Sequence, residues 1–147
     1  MKKIAVLLTA LFVLGCSTVP VTGRRQLSLV PSSQLMALSA ESYNEVLNES
    51  KVVKNTSEAQ MINRVGNKIK TAVEQYMAQN NMSDQLDGFN WEFNLIDSDQ
   101  VNAWAMPGGK VAFYTGILPI CQDETGVAVV MGHEVAHAIA NHGGERM

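Results

Sequence analysis

Between Val127 and Ala140 the chain runs through apolar residues almost without a break, and into that run are set His133, Glu134 and His137. This segment constrains the fold more than any other. Its length, and the Gly143-Gly144 pair beyond it, fit one helix from about Glu124 to Asn141, capped by Asp123 or Thr125. A helix apolar nearly all round is expected to be buried on most sides. Two imidazoles and a carboxylate in such surroundings are costly unless partnered. His133 and His137 stand four residues apart, so they share a face with Cβ atoms about 5–6 Å apart. Both can then reach one zinc ion at ~2.0–2.1 Å. Glu134 projects about 100° round the helix from His133. There it is poorly placed as a ligand but within reach of a water on the metal, as its general base. The competing reading is a structural helix whose motif carries no metal, and metal analysis separates the two. Gly132 costs about 1 kcal/mol of helix propensity relative to alanine, which points to a backbone element passing close by.

Upstream the pattern divides into helical and strand periods. A first helix is expected from Ser32-Ser33, after Pro31, to about Glu49, with Leu35, Leu38, Tyr43, Val46 and Leu47 as its stripe. A second starts at Ser57, where Gln60 completes a capping-box spacing, and Met61, Ile62, Val65, Ile69, Val73 and Tyr76 mark one face. From Phe89 the period changes to two: Phe89, Trp91, Phe93 and Leu95 alternate with Asn90, Glu92 and Asn94, as in a half-buried strand. Asp97 to Gln100 break it. Val101 to Met106 and Val111 to Tyr114 flank Pro107-Gly108-Gly109, a hairpin about a type II turn. The expected class is α+β: amphipathic helices and a small hairpin sheet packed on the apolar helix.

The N-terminus reads separately. Lys2 and Lys3 precede an apolar stretch, Ile4 to Leu14, that is shorter than the ~20 residues needed to cross a bilayer. Residues 1–15 therefore read as a secretory signal. Val13-Leu14-Gly15-Cys16 resembles a bacterial lipobox, which implies a lipid on Cys16 and attachment to a membrane through it; an ordinary signal peptide with a chance cysteine is the alternative. Ser17 after the cysteine resembles outer-membrane sorting in enteric-type bacteria. The expected location is thus the bacterial cell envelope, lipid-anchored at the periplasmic face of the outer membrane. Residues 16–33, with Pro20, Gly23 and Pro31, read as a tether, and residues 34–147 as the domain. A lipidated Cys16 leaves Cys121 no disulfide partner, and Cys121 reads as a small half-buried apolar residue. The net charge of −3 and the absence of basic clusters exclude a nucleic-acid partner.

The run Gly132-His133-Glu134-Val135-Ala136-His137-Ala138, followed by Asn141-His142-Gly143, resembles the HtpX-type and CAAX-prenyl-protease-type zinc metallopeptidases, peptidase family M48. The run Asn102-Ala103-Trp104-Ala105-Met106-Pro107-Gly108-Gly109, then Val111 and Thr115-Gly116, is similar to that family's signature hairpin. The resemblance covers about residues 30–147, and the lipobox suggests the bacterial lipoprotein branch. It implies a zincin-like fold and a metalloendopeptidase acting on polypeptides. It also implies one Zn2+ per chain, held by His133 and His137, with Glu134 as base. The strand Asn102, Ala103, Trp104, Ala105 would lie beside the cleft and pair with extended substrate, a plain structural hairpin being the alternative. A catalytic zinc usually takes three protein ligands, and in the family the third is a glutamate on a later helix. His142 and Glu145 are poorly spaced to replace it, while Asp97 and Asp99 are candidates to support the ligands from behind. On this reading the chain is the N-terminal portion of a domain whose C-terminal part is missing. Alone it should bind zinc weakly and turn over little. The implied role is protein quality control in the bacterial envelope; the alternative is a non-catalytic chaperone-like or binding lipoprotein that kept the peptidase fold.

Overall fold

The computed structural model describes residues 31–140 in full, with the backbone of residues 16–18 and 25–27. The signal peptide expected at 1–15, the lipid expected on Cys16, and residues 141–147 with His142, the glycine pair and Glu145 lie outside the described residues. Within the segment read as a tether, β1 (Cys16–Thr18) and β2 (Arg25–Leu27) pair antiparallel.

Helix α1 (Ser32–Glu49) follows Pro31 and buries Leu35, Ser39 and Tyr43, while Leu38 stays exposed. After the two-residue strand β3 (Val52–Val53), Asn55 turns the chain at φ 62° into α2 (Ser57–Gln79). The cap of α2 is Thr56 and not Ser57: Thr56 has extended backbone and its Oγ1 accepts from the Ala59 N–H at 3.2 Å. The Ser57 hydroxyl, already inside the helix, turns to Glu58. An N-cap must be the last non-helical residue, and two adjacent hydroxyl residues leave that choice to the incoming turn at Asn55. Along α2, Ala59, Ile62, Val65, Gly66 and Met77 are buried, and Tyr76 is exposed.

A short 3-10 turn at Ser83–Leu86 leads to β4 (Glu92–Ile96), β5 (Ala103–Met106) and β6 (Lys110–Tyr114). The sheet order is β3-β4-β6-β5, with β6 parallel to β4 and antiparallel to β5. The turn of the β5–β6 hairpin has Gly108 at φ 84°, as the second central position of a type II turn requires. The strand expected from Phe89 begins only at Glu92. Phe89 and Trp91 instead pack on each other with ring centroids 5.2 Å apart, and Trp91 lies against Gly109. After a 3-10 turn (Thr115–Ile117) and the single-turn α3 (Leu118–Cys121), Asp123 caps the last described helix, α4 (Glu124–Ile139), through the Gly126 N–H at 3.0 Å.

The architecture is mixed α+β, a sheet between helices. On one face α2 and α4 bury Ile62, Val65, Phe93, Leu95, Val111, Phe113, Val127, Met131 and Val135. On the other, α1 sets Tyr43 against Ile96, Ala112 and Trp104. Two glycines are dictated by close approach: a Cβ at Gly66 would overlap the Phe93 ring, and one at Gly126 the Cys121 carbonyl. Gly132 departs from expectation. A Cβ there would meet only Ile69 Cδ1 at 3.9 Å, ordinary contact with a side chain and not with backbone. Cys121 is buried and unbridged, and burial pushes its thiol pKa up, as fits an inert apolar residue.

Glu124, in the first turn of α4, receives Arg64 and Lys68 from α2, each at 2.7 Å. Hydrogen bonds from these two cations pull its carboxyl pKa down to about 2. A depressed carboxylate stabilises the fold fully above its unfolded pKa near 4.5, and that contribution is lost as pH falls towards 2. The melting temperature of the wild type should therefore drop more steeply over that window than that of Glu124→Gln. Because all three groups are exposed, the difference should shrink in high salt. Parallel pH profiles at low salt would show the pairing to be inconsequential.

Candidate metal centre

Helix α4 carries the motif, and its packing decides what the motif presents. Val127, Met131 and Val135 point into the core and hold α4 on α2 and β5. The residues between them are not all covered. Val129 is 69% exposed, and His133 and Ala136 are exposed along the same side of the helix. The expectation of a helix buried on most sides is corrected here. Uniform apolarity gives no stripe from which the covered side can be read, whereas within residues 31–140 α2, the sheet and the short α3 pack against it and leave one side bare.

His133 and His137 converge on this open side. Their rings meet edge to face with centroids 4.4 Å apart, and the two Nε2 atoms are 3.0 Å apart. That approach fits an N–H···N bond when one ring donates. It also fits a shared metal: two nitrogens on one tetrahedral zinc, each at ~2.0–2.1 Å, lie roughly 3.3 Å from each other. The observed Nε2 separation is a few tenths of an ångström short of that. Glu134 is half-buried beside them, one helical step on. The arrangement can thus present two imidazole donors and a carboxylate that is free to accept a proton rather than to ligate.

No group of three histidine, cysteine, aspartate or glutamate side chains able to hold a metal occurs among the described residues. Asp97, considered as support for the ligands, is occupied elsewhere: Lys51 bonds it at 2.6 Å and holds its pKa below the usual carboxylate range. The backbone carbonyl of Asp99 passes close against Gly116, where a Cβ would overlap it.

The four strand residues singled out beside the cleft separate onto different sides. Asn102 lies exposed before β5, and its carbonyl accepts from Tyr114 N at 3.1 Å. Ala103 and Ala105 belong to the core beneath α4. Trp104 points to the opposite face, edge-on to Tyr43 at 5.6 Å and with its indole N–H directed at the Tyr114 hydroxyl. Period-two alternation carries this division, so it was readable once the strand was granted. What remains of the segment as a substrate surface is its backbone, because β5 is the terminal strand of the sheet. Val129, one turn before His133, is the residue near the motif that sequence reasoning passed over. The spacing of 129, 133 and 136 on one side was its available signal.

Residues 63–147 match the model of peptidase family M48. The chain is 30% identical over 131 residues to mitochondrial metalloendopeptidase OMA1 of Schizosaccharomyces pombe, which spans 88% of this chain and 36% of that protein. It is 29% identical over 128 residues to the mitochondrial metalloendopeptidase OMA1 of Bos taurus, covering 86% of this chain and 24% of the relative. A shorter stretch of 52 residues is 35% identical to the beta-barrel assembly-enhancing protease of Escherichia coli, covering 35% of this chain and 11% of that protein. The chain therefore spans about a third or less of the length of these relatives. They support the family but not the bacterial lipoprotein branch of the HtpX type. They also overturn the placement at the periplasmic face of a bacterial outer membrane, since the relatives that match most of the chain are mitochondrial by name. Short N-terminal signals are the weak point of such a placement: an apolar stretch ending in Gly-Cys carries few residues and no packing constraint.

Proposed function

Because the chain belongs to peptidase family M48, we propose that it provides the zinc-binding helix of a zinc-dependent metalloendopeptidase with a zincin-like site. The observation that carries this is the convergence of His133 and His137 at 3.0 Å on the open side of α4, with Glu134 beside them. His133 and His137 are two ligands of one Zn2+, and a third protein ligand comes from outside residues 31–140. Zinc held there would supply Lewis-acid polarisation of a water and of the scissile carbonyl. Glu134 would accept a proton from the attacking water and return it to the leaving amine. The free edge of β5, Ala103 to Met106, aligns an extended polypeptide across the face of α4 by strand addition. A role in protein quality control belongs to the same proposal.

Metal content tests the ligand assignment. The complete gene product should carry about one zinc per polypeptide, and His137→Ala or His133→Ala should lose it with the melting temperature of the metal-free protein unchanged. Undiminished zinc in both variants would overturn the assignment and favour a structural helix.

A further inference from the structure

The edge of the sheet opposite β5 carries a second feature. Strand β3 pairs only with Leu95 and Ile96 of β4, and then the chain leaves at Asn55. The N–H groups of Asn90 and Glu92 donate to Gly108 and Gly109 on the hairpin side, at 2.9 and 3.0 Å. Backbone groups of successive strand residues point to alternate edges. The N–H and C=O of Trp91 and Phe93 therefore face the edge that β3 leaves uncovered. Unpaired strand edges are templates for an incoming strand.

Beside this edge lies a groove of about 520 Å³, lined by Lys54, Asn63, Asn67, Lys70, Trp91 and Phe93 among others. That is within the ~300–1,000 Å³ range of ligand sites. Its wall on α2 is a polar stripe at helical spacing: Gln60, Asn63, Asn67 and Lys70. The Asn63 and Asn67 amides donate to their own helix carbonyls four residues back, at 3.0 and 2.8 Å. The floor is aromatic, with Trp91 stacked on Phe93 at 6.1 Å. Lys54 forms no ion pair among the described residues, and Lys70 meets Glu74 only at 3.9 Å. Glu92 also lines the groove but is paired with Lys110 at 3.1 Å, so in a chain of net charge −3 Lys54 and Lys70 are the groove's charged side chains with little pairing of their own.

We infer that this groove binds an extended peptide carrying acidic side chains, which adds to the β4 edge at Trp91 and Phe93 and directs its carboxylates to Lys54 and Lys70. The backbone at the edge selects a polypeptide, and the lysines select its charge. The site lies across the sheet from the free edge of β5 and does not depend on the catalytic reading, because it is measured by binding without turnover.

The probe is a fluorescein-labelled, end-capped eight-residue peptide alternating glutamate and valine, followed by fluorescence anisotropy at low salt. Saturable binding is expected. It should weaken at least tenfold with the double variant Lys54→Glu/Lys70→Glu, fail for the same peptide N-methylated at alternate residues, and persist in Glu134→Gln. Asn63→Trp, which fills the groove from an exposed helix position, should also abolish it. Should that variant fail to fold, the charge reversal at two surface lysines decides alone. Absence of saturable binding would overturn the inference, as would binding unchanged by both charge reversal and N-methylation, or equally tight binding of a lysine-for-glutamate peptide.

Discussion

Replacing Glu134 with glutamine in the complete gene product is expected to lower kcat by about 10²–10⁴-fold, the usual share of a positioned general base, while zinc content stays at the wild-type level. Glutamine keeps the shape and volume of the side chain, which is half-buried on α4 between the two histidines, so packing gives no reason for metal loss. What it removes is a carboxylate oxygen able to accept a proton from water. The loss should therefore fall equally on kcat and kcat/KM, with KM little changed, as for an interaction made only in the transition state. A fluorogenic peptide assay with parallel metal analysis reads both quantities. Retention of more than half the turnover would remove Glu134 from the base role. Loss of zinc together with turnover would make it a ligand instead. A wild type that binds polypeptide without cleaving it, and that Glu134→Gln leaves unaltered, would favour the non-catalytic reading.

The parts of this molecule that were legible in sequence are those fixed by local pattern. Pro31 and Ser32 mark the start of α1, and Asp123 the start of α4, because caps and breakers act within one turn. Gly108 and Gly109 announce the hairpin through the positive φ angles they permit. The shared face of His133 and His137 follows from a spacing of four. Non-local pairing was not legible. Val52–Val53 is too short to show a period, and becomes a strand only because Leu95 and Ile96 lie beside it. The parallel match of β4 to β6, with β5 outside, is set by burial of Phe93, Leu95, Val111 and Phe113 under α2 and α4, and no short window contains both halves. The open side of α4 was hidden for the opposite reason: almost every residue there is apolar, so composition could not distinguish a covered face from a bare one.

The largest loss of stability is expected at Tyr43, which joins α1 to the sheet. Its side chain is fully buried, its hydroxyl donates to the Val111 carbonyl at 2.7 Å and accepts from the Asn94 amide at 3.1 Å, and its ring meets Trp104 edge-on. Burial also raises the phenol pKa well above its ordinary range. Tyr43→Ala should cost about 3–5 kcal/mol, the range for truncating a buried aromatic. Tyr43→Phe keeps the ring but deprives the Val111 carbonyl and the Asn94 amide of a partner in a buried place, and should cost ~1–3 kcal/mol. Urea unfolding of the two variants separates packing from hydrogen bonding, and a loss below ~1 kcal/mol for alanine would mean that α1 contributes little to the fold. Since α1 covers the face of the sheet away from α4, the damage should appear first as a change in Trp104 fluorescence. The histidine pair, held by Val127, Met131 and Val135 on the other face, should keep its metal affinity at temperatures where the variant remains folded. A variant that lost both together would show that the two faces of this sheet cannot be destabilised independently.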